Sequence, residues 1–346
     1  MARKRPWKSG DVMGTERATD LHAAALVWDA HACLPLLPQQ SMAALERHRR
    51  AGANHVSVNV GMDFNPVAQV MRVIAGFRDW IAGHGDRFTL AGSIAEIRQA
   101  QRDGKLSVSF DLEGSAMLEG DLAMLRLYRD LGVRQIHLAY NRDNDVAGGC
   151  HGSDVGLTPL GRRIVDRINE LGLIMDCSHS GHRTSLEIME RSRRPVVFSH
   201  SNVRALKDHP RNIRDDQIDA CAATGGVIAL SGIGIFLGAN DIRVDTLMRH
   251  IDYVAGRVGP RHVGIGLDYV FEGGMDDLPA GVRRDDWWPP GNEYDLDAMP
   301  IVPPESLPAI TEGLVAGGYD DDEILGILGG NYLRVAAATW ESAPGG

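Results

Sequence analysis

VVFSHSN, residues 196–202, is the stretch on which the architecture turns. A short β-rich run gives way at once to polar loop residues, and the loop carries a histidine, His200. Comparable β-rich runs lie at 25–28, 55–60, 107–112, 136–138, 174–176, 227–230 and 263–267. Between them stand amphipathic helical patterns at 67–82, 122–131, 160–171, 182–190, 215–223 and 244–258. Strands alternating with helices imply parallel strands joined by crossover helices. Eight such strands in this order predict a (β/α)8 TIM barrel. A doubly wound sheet would need a phosphate-type glycine loop after the first strand, and HACLPLLP (31–38) is not one.

Beyond residue 267 the character changes. Residues 276–304 are rich in Pro, Asp and Trp and end in DDWWPPGNEYDLDAMPIVPP (285–304), which predicts a long ordered loop covering the barrel mouth. Additional C-terminal helices are expected at 305–316, 321–328 and 332–340. The acidic run 320–323 suits the first turn of the second of these, where carboxylates complement the helix dipole. Residues 1–20 are read as an N-terminal tail and 21–346 as a single (β/α)8 barrel domain.

The 346 residues are 44% hydrophobic and 24% charged, the balance of a globular chain with a large core. A net charge of −10 argues against nucleic acid and against electrostatic docking on an anionic membrane. The basic start lacks an apolar signal segment, and no run of about 18 apolar residues exists. With four cysteines, too few for a disulfide scaffold, the expected location is the cytoplasm.

The informative fact is where metal-capable residues fall. His31 and Cys33 are placed after the first strand, Glu113 after the third, His179 after the fifth, His200 after the sixth and Asp268 after the eighth. In a (β/α)8 barrel these ends meet at the C-terminal face, where active sites of this fold sit. Neutral imidazoles and carboxylates suit Zn²⁺, and one Glu can bridge two ions through its two oxygens. Two ions about 3.5–4 Å apart can share a hydroxide and clamp a developing oxyanion. An aspartate beside that hydroxide can carry a proton to a leaving amine.

The motifs WDAHACLP (28–35), SFDLEGS (109–115), DCSHS (176–180), VVFSHSN (196–202), HPRNIRDD (209–216), VGIGLDY (263–269) and GGNYLRV (329–335) resemble the membrane (renal) dipeptidase family, peptidase family M19. GGVIALSGIGIFLG (225–238) and the Trp/Pro-rich stretch resemble its bacterial branch. The resemblance implies a binuclear zinc dipeptidase on an amidohydrolase-like barrel, acting on small dipeptides, with a D-residue accepted at the C-terminal side. It implies a homodimer. By position, Glu113 would bridge the ions, His31 would hold one of them, and His179 and His200 the other. Asp268 would be the acid/base and meet the substrate ammonium, and Arg211 would bind the substrate carboxylate. Tyr140, in HLAYN (137–141), stands where some members carry an oxyanion-steadying histidine.

The departure is Cys33, because the family's usual first motif is His-x-Asp and this chain has His31-Ala32-Cys33. A thiolate is a zinc ligand at about 2.3 Å, so Cys33 completes the first site in one alternative. In the other it is a packed thiol, and one ion is weakly held or absent. Two zinc ions per chain are expected if it ligates, one if it does not. Cys150 and His151 of GGCHGSD (148–154) are assigned a structural loop role, and Cys177 a core position. A related amidohydrolase on another small amide or lactam, or a non-hydrolytic barrel with a degenerate site, are the alternative functions.

Overall fold

The computed structural model describes residues 12–272, 278–295 and 298–340. Ten strands appear in chain order: β1 (Val27–Cys33), β2 (Ala53–Met62), β3 (Phe88–Leu90), β4 (Leu106–Glu113), β5 (Val133–His137), β6 (Ile174–Asp176), β7 (Val196–Phe198), β8 (Val227–Leu230), β9 (Val263–Ile265) and β10 (Tyr269–Val270). All their pairings are parallel, in the order β1-β2-β4-β5-β6-β7-β8-β9. Asp29 of β1 pairs with Ile265 of β9 and closes the ring. The chain therefore forms the (β/α)8 barrel expected of its alternating pattern, with C-terminal helices added.

The helices Val67–Gly83, Ala123–Asp130, Pro159–Leu171, His182–Arg191, Asp215–Ala223 and Val244–Val258 stand between successive barrel strands. Pro159–Leu171 shows why such a segment stops where it does. Thr158 caps it by accepting from Gly161 N, Pro159 takes a position whose N–H has no helical partner, and Gly172 ends it at φ 66°. One buried face, including Ile164, Val165, Ile168 and Leu171, packs inward.

Alternation along each strand divides the side chains. Val196 and Phe198 join the main apolar core, whereas Val197 joins a second cluster with Trp28, Val227, Tyr332 and Trp340. The last two belong to the helix Asn331–Trp340, which thus packs its aromatic face into that second cluster. On β2, β4 and β5 the residues at one alternation are polar and buried: His55, Ser57 and Asn59, then Ser107, Ser109, Asp111 and Glu113, then Gln135 and His137. This polar ladder leads up to the C-terminal end of the barrel.

Several boundaries differ from the sequence pattern. β1 runs on to Cys33 because β10 pairs with it at Ala32↔Tyr269 and Cys33↔Val270, a partner that no local pattern reveals. His31 and Cys33 therefore lie within β1, and Glu113 is the last residue of β4. β3 was not anticipated. It covers the first part of the β4 edge, at Phe88↔Leu106 to Leu90↔Val108, before β5 takes over at Phe110↔Val133. The helix Ile94–Arg102, capped by Ser93, was also not anticipated. Part of the stretch taken as a tail forms the helix Val12–Ala24, whose His22 Nδ1 lies 2.8 Å from Thr311 Oγ1. Residues 1–11 and 341–346 fall outside the described residues, as do 273–277 and 296–297 of the covering loop.

Candidate metal centre and active site

Glu113 is the hub. Its Oε2 accepts from Asn59 Nδ2 at 2.6 Å, which turns Oε1 toward a ring of imidazoles. Oε1 lies 2.9 Å from His179 Nε2, 3.4 Å from His200 Nε2 and 3.5 Å from His31 Nε2. The Nε2 atoms of His179 and His200 are 2.8 Å apart. All four side chains are buried, with Glu113 2% and His179 6% exposed.

Their hydrogen bonds fix which nitrogen carries the proton. Asp111 Oδ2, an acceptor, lies 3.2 Å from His31 Nδ1. Asn141 donates Nδ2–H to Trp287 O, so its Oδ1 is what faces His179 Nδ1 at 2.7 Å. His31 and His179 thereby donate from Nδ1 and leave Nε2 lone pairs in the centre, while His200 Nδ1 lies 2.7 Å from Ser199 Oγ, which can donate or accept. Lone pairs and a carboxylate oxygen face one another at these distances without enough protons between them. Such a set fits a metal cation bound at its middle. Four overlapping groups of potential ligand atoms occur there, including His31–Cys33–Asp268 and His31–Glu113–His200.

Electrostatics point the same way for the two acids and for His179 and His200, though not for His31. Burial pushes the Glu113 carboxyl up to about 7, against the pull of His31 and His137. Burial likewise raises Asp268 to about 6, opposed by His31 and Arg211. His179 and His200 are held well below the usual imidazole range, through burial first and then neighbours including Arg211. Burial disfavours charge on His31 too, yet Asp111, Cys33 and Glu113 together raise it well above that range. Buried acids that resist ionising and imidazoles that resist protonation become ligands once positive charge stands among them.

Around this centre stand the other expected residues. Asp268 Oδ1 is 3.8 Å from His31 Nε2, and Cys33 Sγ is 3.3 Å from the same nitrogen. Burial pushes the Cys33 thiol up to about 12. Arg211, 3% exposed, lies with its guanidinium 5.4 Å from the Phe236 ring centre and donates from Nη2 to His200 O. The Tyr140 ring stacks on His179 with 4.3 Å between centroids. His179, Asp268 and Asn141 all hold a left-handed backbone, at φ 65°, 56° and 59°. Non-glycine residues rarely adopt it, and their clustering at one centre marks strain kept for a site.

A cavity of about 330 Å³ opens on these groups, reaching Glu113, His179, Arg211, Asp268, Cys33 and Tyr140. Its remaining walls are mostly apolar, among them Leu34, Leu36, Ile233, Phe236 and Ile301. Trp288 and Tyr294 of the covering loop, 7% and 4% exposed, pack with Tyr140 and Phe236 over it. The described part of that loop is thus an ordered cover.

Cys150 and His151 serve the loop. Cys150 N donates to His179 O, its Sγ meets Asn141 Oδ1 at 3.4 Å, and His151 Nε2 lies 2.9 Å from Tyr294 OH. Cys177 is core. The acidic run forms a capping box in which Asp320 and Glu323 bond each other's backbone N–H.

Sequence reasoning missed the residues that hold the candidate ligands. Asp63 gathers the N–H groups of Ser115, Ala116 and Tyr140, tying the ends of β2, β4 and β5 together beside Glu113. Gly114 makes this possible, because at φ 121° any Cβ would stand 2.1 Å from Asp63 Oδ1. His137 was also missed. It is fully buried, with Nε2 2.6 Å from Asp176 Oδ2 and Nδ1 3.9 Å from Glu113 Oε1. Strand periodicity offered a signal for Asp111, which precedes Glu113 by two residues on one strand face.

Comparison with known proteins agrees with this geometry. The profile of the membrane dipeptidase family, peptidase family M19, matches residues 15–283. An uncharacterized dipeptidase of Schizosaccharomyces pombe is 32% identical over 249 residues, covering 69% of this chain and 54% of that protein. Dipeptidase aclJ of Aspergillus oryzae is 29% identical over 283 residues, covering 79% of this chain and 60% of its own. The chain thus spans somewhat more than half the length of these curated relatives. The crystal structure of an amidohydrolase from Pseudomonas aeruginosa superposes with a TM-score of 0.83 at 26% identity, over 94% of this chain and 99% of that one. A family profile spanning most of the chain, over a barrel whose strand ends gather the motif residues, settles the kinship: this chain belongs to the membrane dipeptidase family, M19.

Proposed function

We propose that the chain is a zinc-dependent dipeptidase that hydrolyses the amide bond of small dipeptides. The observation that carries this is the convergence of Glu113 Oε1 with the Nε2 atoms of His31, His179 and His200 at 2.9–3.5 Å, at the floor of a cavity also walled by Asp268 and Arg211. Glu113 would bridge two zinc ions, with His31 and Cys33 on one and His179 and His200 on the other. Zinc bound there supplies Lewis acidity and makes water acidic enough to attack near neutral pH.

The chain's own groups do the rest. The ionised Asp268 carboxylate meets the substrate ammonium as the dipeptide binds, then takes a proton from the attacking water and returns it to the leaving amine. A carboxyl raised to about 6 by burial holds and releases a proton near neutrality. Arg211 receives the substrate carboxylate. Among the described residues its guanidinium is engaged through Nη2 alone, by His179 and His200, so its other N–H groups remain for a charge-assisted bond. One charged group for each terminus restricts length to a dipeptide. The apolar walls favour dipeptides with apolar side chains. Tyr140, stacked on His179, is the group proposed to donate to the developing oxyanion. The covering loop excludes water through Trp288 and Tyr294.

The test is metal analysis of protein purified without chelator or added zinc, together with a panel of dipeptides, dipeptide amides and lactams. The panel includes dipeptides with a D-residue at the C-terminal side. Bound zinc and hydrolysis confined to dipeptides are expected. A folded, metal-binding protein that cleaves only lactams or other amides would move the assignment to a related amidohydrolase. A folded protein that takes up no metal and cleaves nothing would overturn it.

A further inference from the structure

We propose that His137 is a further zinc ligand of this chain, binding through Nδ1 and held in place by Asp176. The proposal rests on the metal-centre assignment above and deepens it. No motif in the sequence pointed to this residue.

The geometry leaves His137 little else to do. It closes β5 in register with Asp176 on β6, with both side chains fully buried. Asp176 is itself pinned, since Oδ1 accepts from Ser178 N at 2.9 Å and Ser199 N at 3.2 Å. Its Oδ2 then faces His137 Nε2 at 2.6 Å and, being an acceptor, takes the proton from that nitrogen. When the ring is neutral, its lone pair is thereby directed to Nδ1.

Nδ1 is buried and has no hydrogen-bond partner among the described residues. What it faces is Glu113 Oε1 at 3.9 Å, another acceptor. A buried nitrogen left without a donor or acceptor costs stability unless something fills the gap. Two ligand atoms on one tetrahedral zinc stand about 3.4 Å apart, given metal–ligand distances near 2.1 Å. Glu113, His137 and His179 form one of the groups whose ligand atoms lie within 4.8 Å of one another. An imidazole whose second nitrogen donates to a carboxylate is the arrangement that fixes metal-binding histidines. His137 therefore adds a third imidazole to the ion shared by His179, His200 and Glu113.

The test is zinc affinity, measured by chelator competition on the full chain, for wild type and His137→Gln. The metal-free forms are compared by circular dichroism and thermal melting. A zinc Kd raised at least tenfold for one equivalent, with the metal-free fold retained, is expected. An unchanged Kd for both equivalents in a folded variant overturns the ligand role and leaves the dipeptidase assignment standing. A wild type that binds no zinc overturns both. Should His137→Gln fail to fold, the crystal structure of zinc-loaded wild type decides: Nδ1 within about 2.3 Å of an ion supports the role, and an imidazolium bridging Asp176 and Glu113 away from any ion refutes it.

Discussion

Asn59 donates Nδ2–H to Glu113 Oε2 at 2.6 Å while its own Oδ1 accepts from Gly61 N at 2.7 Å. The second bond decides the first. With Oδ1 committed to a backbone N–H, only the amide nitrogen can face Glu113, so this contact makes Oε2 an acceptor and leaves Oε1 aimed at the imidazoles. Asn59→Ala should therefore weaken zinc binding about 10–100-fold, the usual effect of removing a group that orients a ligand. Chelator competition checks this, and an unchanged affinity would remove Asn59 from that role.

Asp29 holds the barrel seam. Its Oδ1 accepts from Leu267 N at 2.8 Å, and its Oδ2 faces His48 Nε2 at 2.9 Å, next to the β1–β9 pairing that closes the ring. Asp29→Ala orphans both donors in a fully buried place. A loss of about 3–5 kcal/mol of stability is expected, read from the urea midpoint. A midpoint within experimental error of wild type would show that the seam does not depend on this carboxylate.

Arg211→Ala should raise KM for dipeptides far more than for the corresponding amides, since only the former present a carboxylate. Loss of a buried charge-assisted contact is worth about 2–4 kcal/mol. The guanidinium also donates to His179 Nε2 at 3.2 Å and to His200 O. Zinc content must accordingly be measured on the same sample. Equal KM effects on both substrate types would place Arg211 outside the carboxylate site.

The barrel was legible because its signal is local. Parallel strands buried on both faces read as short β-rich runs, and the helices Asp215–Ala223 and Val244–Val258 run between the residues that periodicity marked. Candidate ligands such as His179 and His200 were legible because they stand just beyond such runs. What stayed hidden depends on pairing across the sheet. β1 extends past Trp28 through pairing with β2, β9 and, at its end, β10, and β3 survives as a three-residue strand on the free edge of β4. His137 was hidden for the same reason, since its partners Asp176 and Glu113 come from neighbouring strands. Asp63 reaches Tyr140 from 77 positions away, through backbone N–H groups that leave no mark in the side-chain pattern.

Asp268→Asn should lower kcat by about 10²–10⁴-fold while zinc content stays at the wild-type value. The substitution is a fair one, because Asp268 sits at φ 56° and asparagine tolerates that conformation as aspartate does. Alanine there would add backbone strain to the loss of the carboxyl. Asp268 Oδ1 is 3.8 Å from His31 Nε2, near enough for a ligand role to be a real rival. Loss of zinc in Asp268→Asn would establish that rival, and full activity would exclude the residue as the proton carrier.

Cys33 is where this chain leaves the family pattern, and its surroundings permit a sharp test. Sγ lies 3.3 Å from His31 Nε2, in one cluster with Asp268, and the residue lines the cavity. Burial, with the nearby Glu113 and Asp268 and against the pull of His31, pushes the thiol up to about 12, so without metal it is neutral and a poor nucleophile. Alkylation is therefore a weak probe, and spectroscopy a better one. Zinc coordination deprotonates a thiol outright. If Cys33 ligates, cobalt-loaded protein should show a near-ultraviolet thiolate-to-metal charge-transfer band that Cys33→Ser abolishes. The serine variant should also lose about one zinc per chain, since a neutral hydroxyl is a poor zinc ligand. Cys33→Asp should keep both zinc ions without the band, because it restores an anionic oxygen in the His-x-Asp pattern. A packed thiol that touches no metal predicts no such band in wild type and no loss of zinc in Cys33→Ser. No charge-transfer band in wild type, together with unchanged zinc in Cys33→Ser, would leave His31 and Glu113 to hold that ion without it.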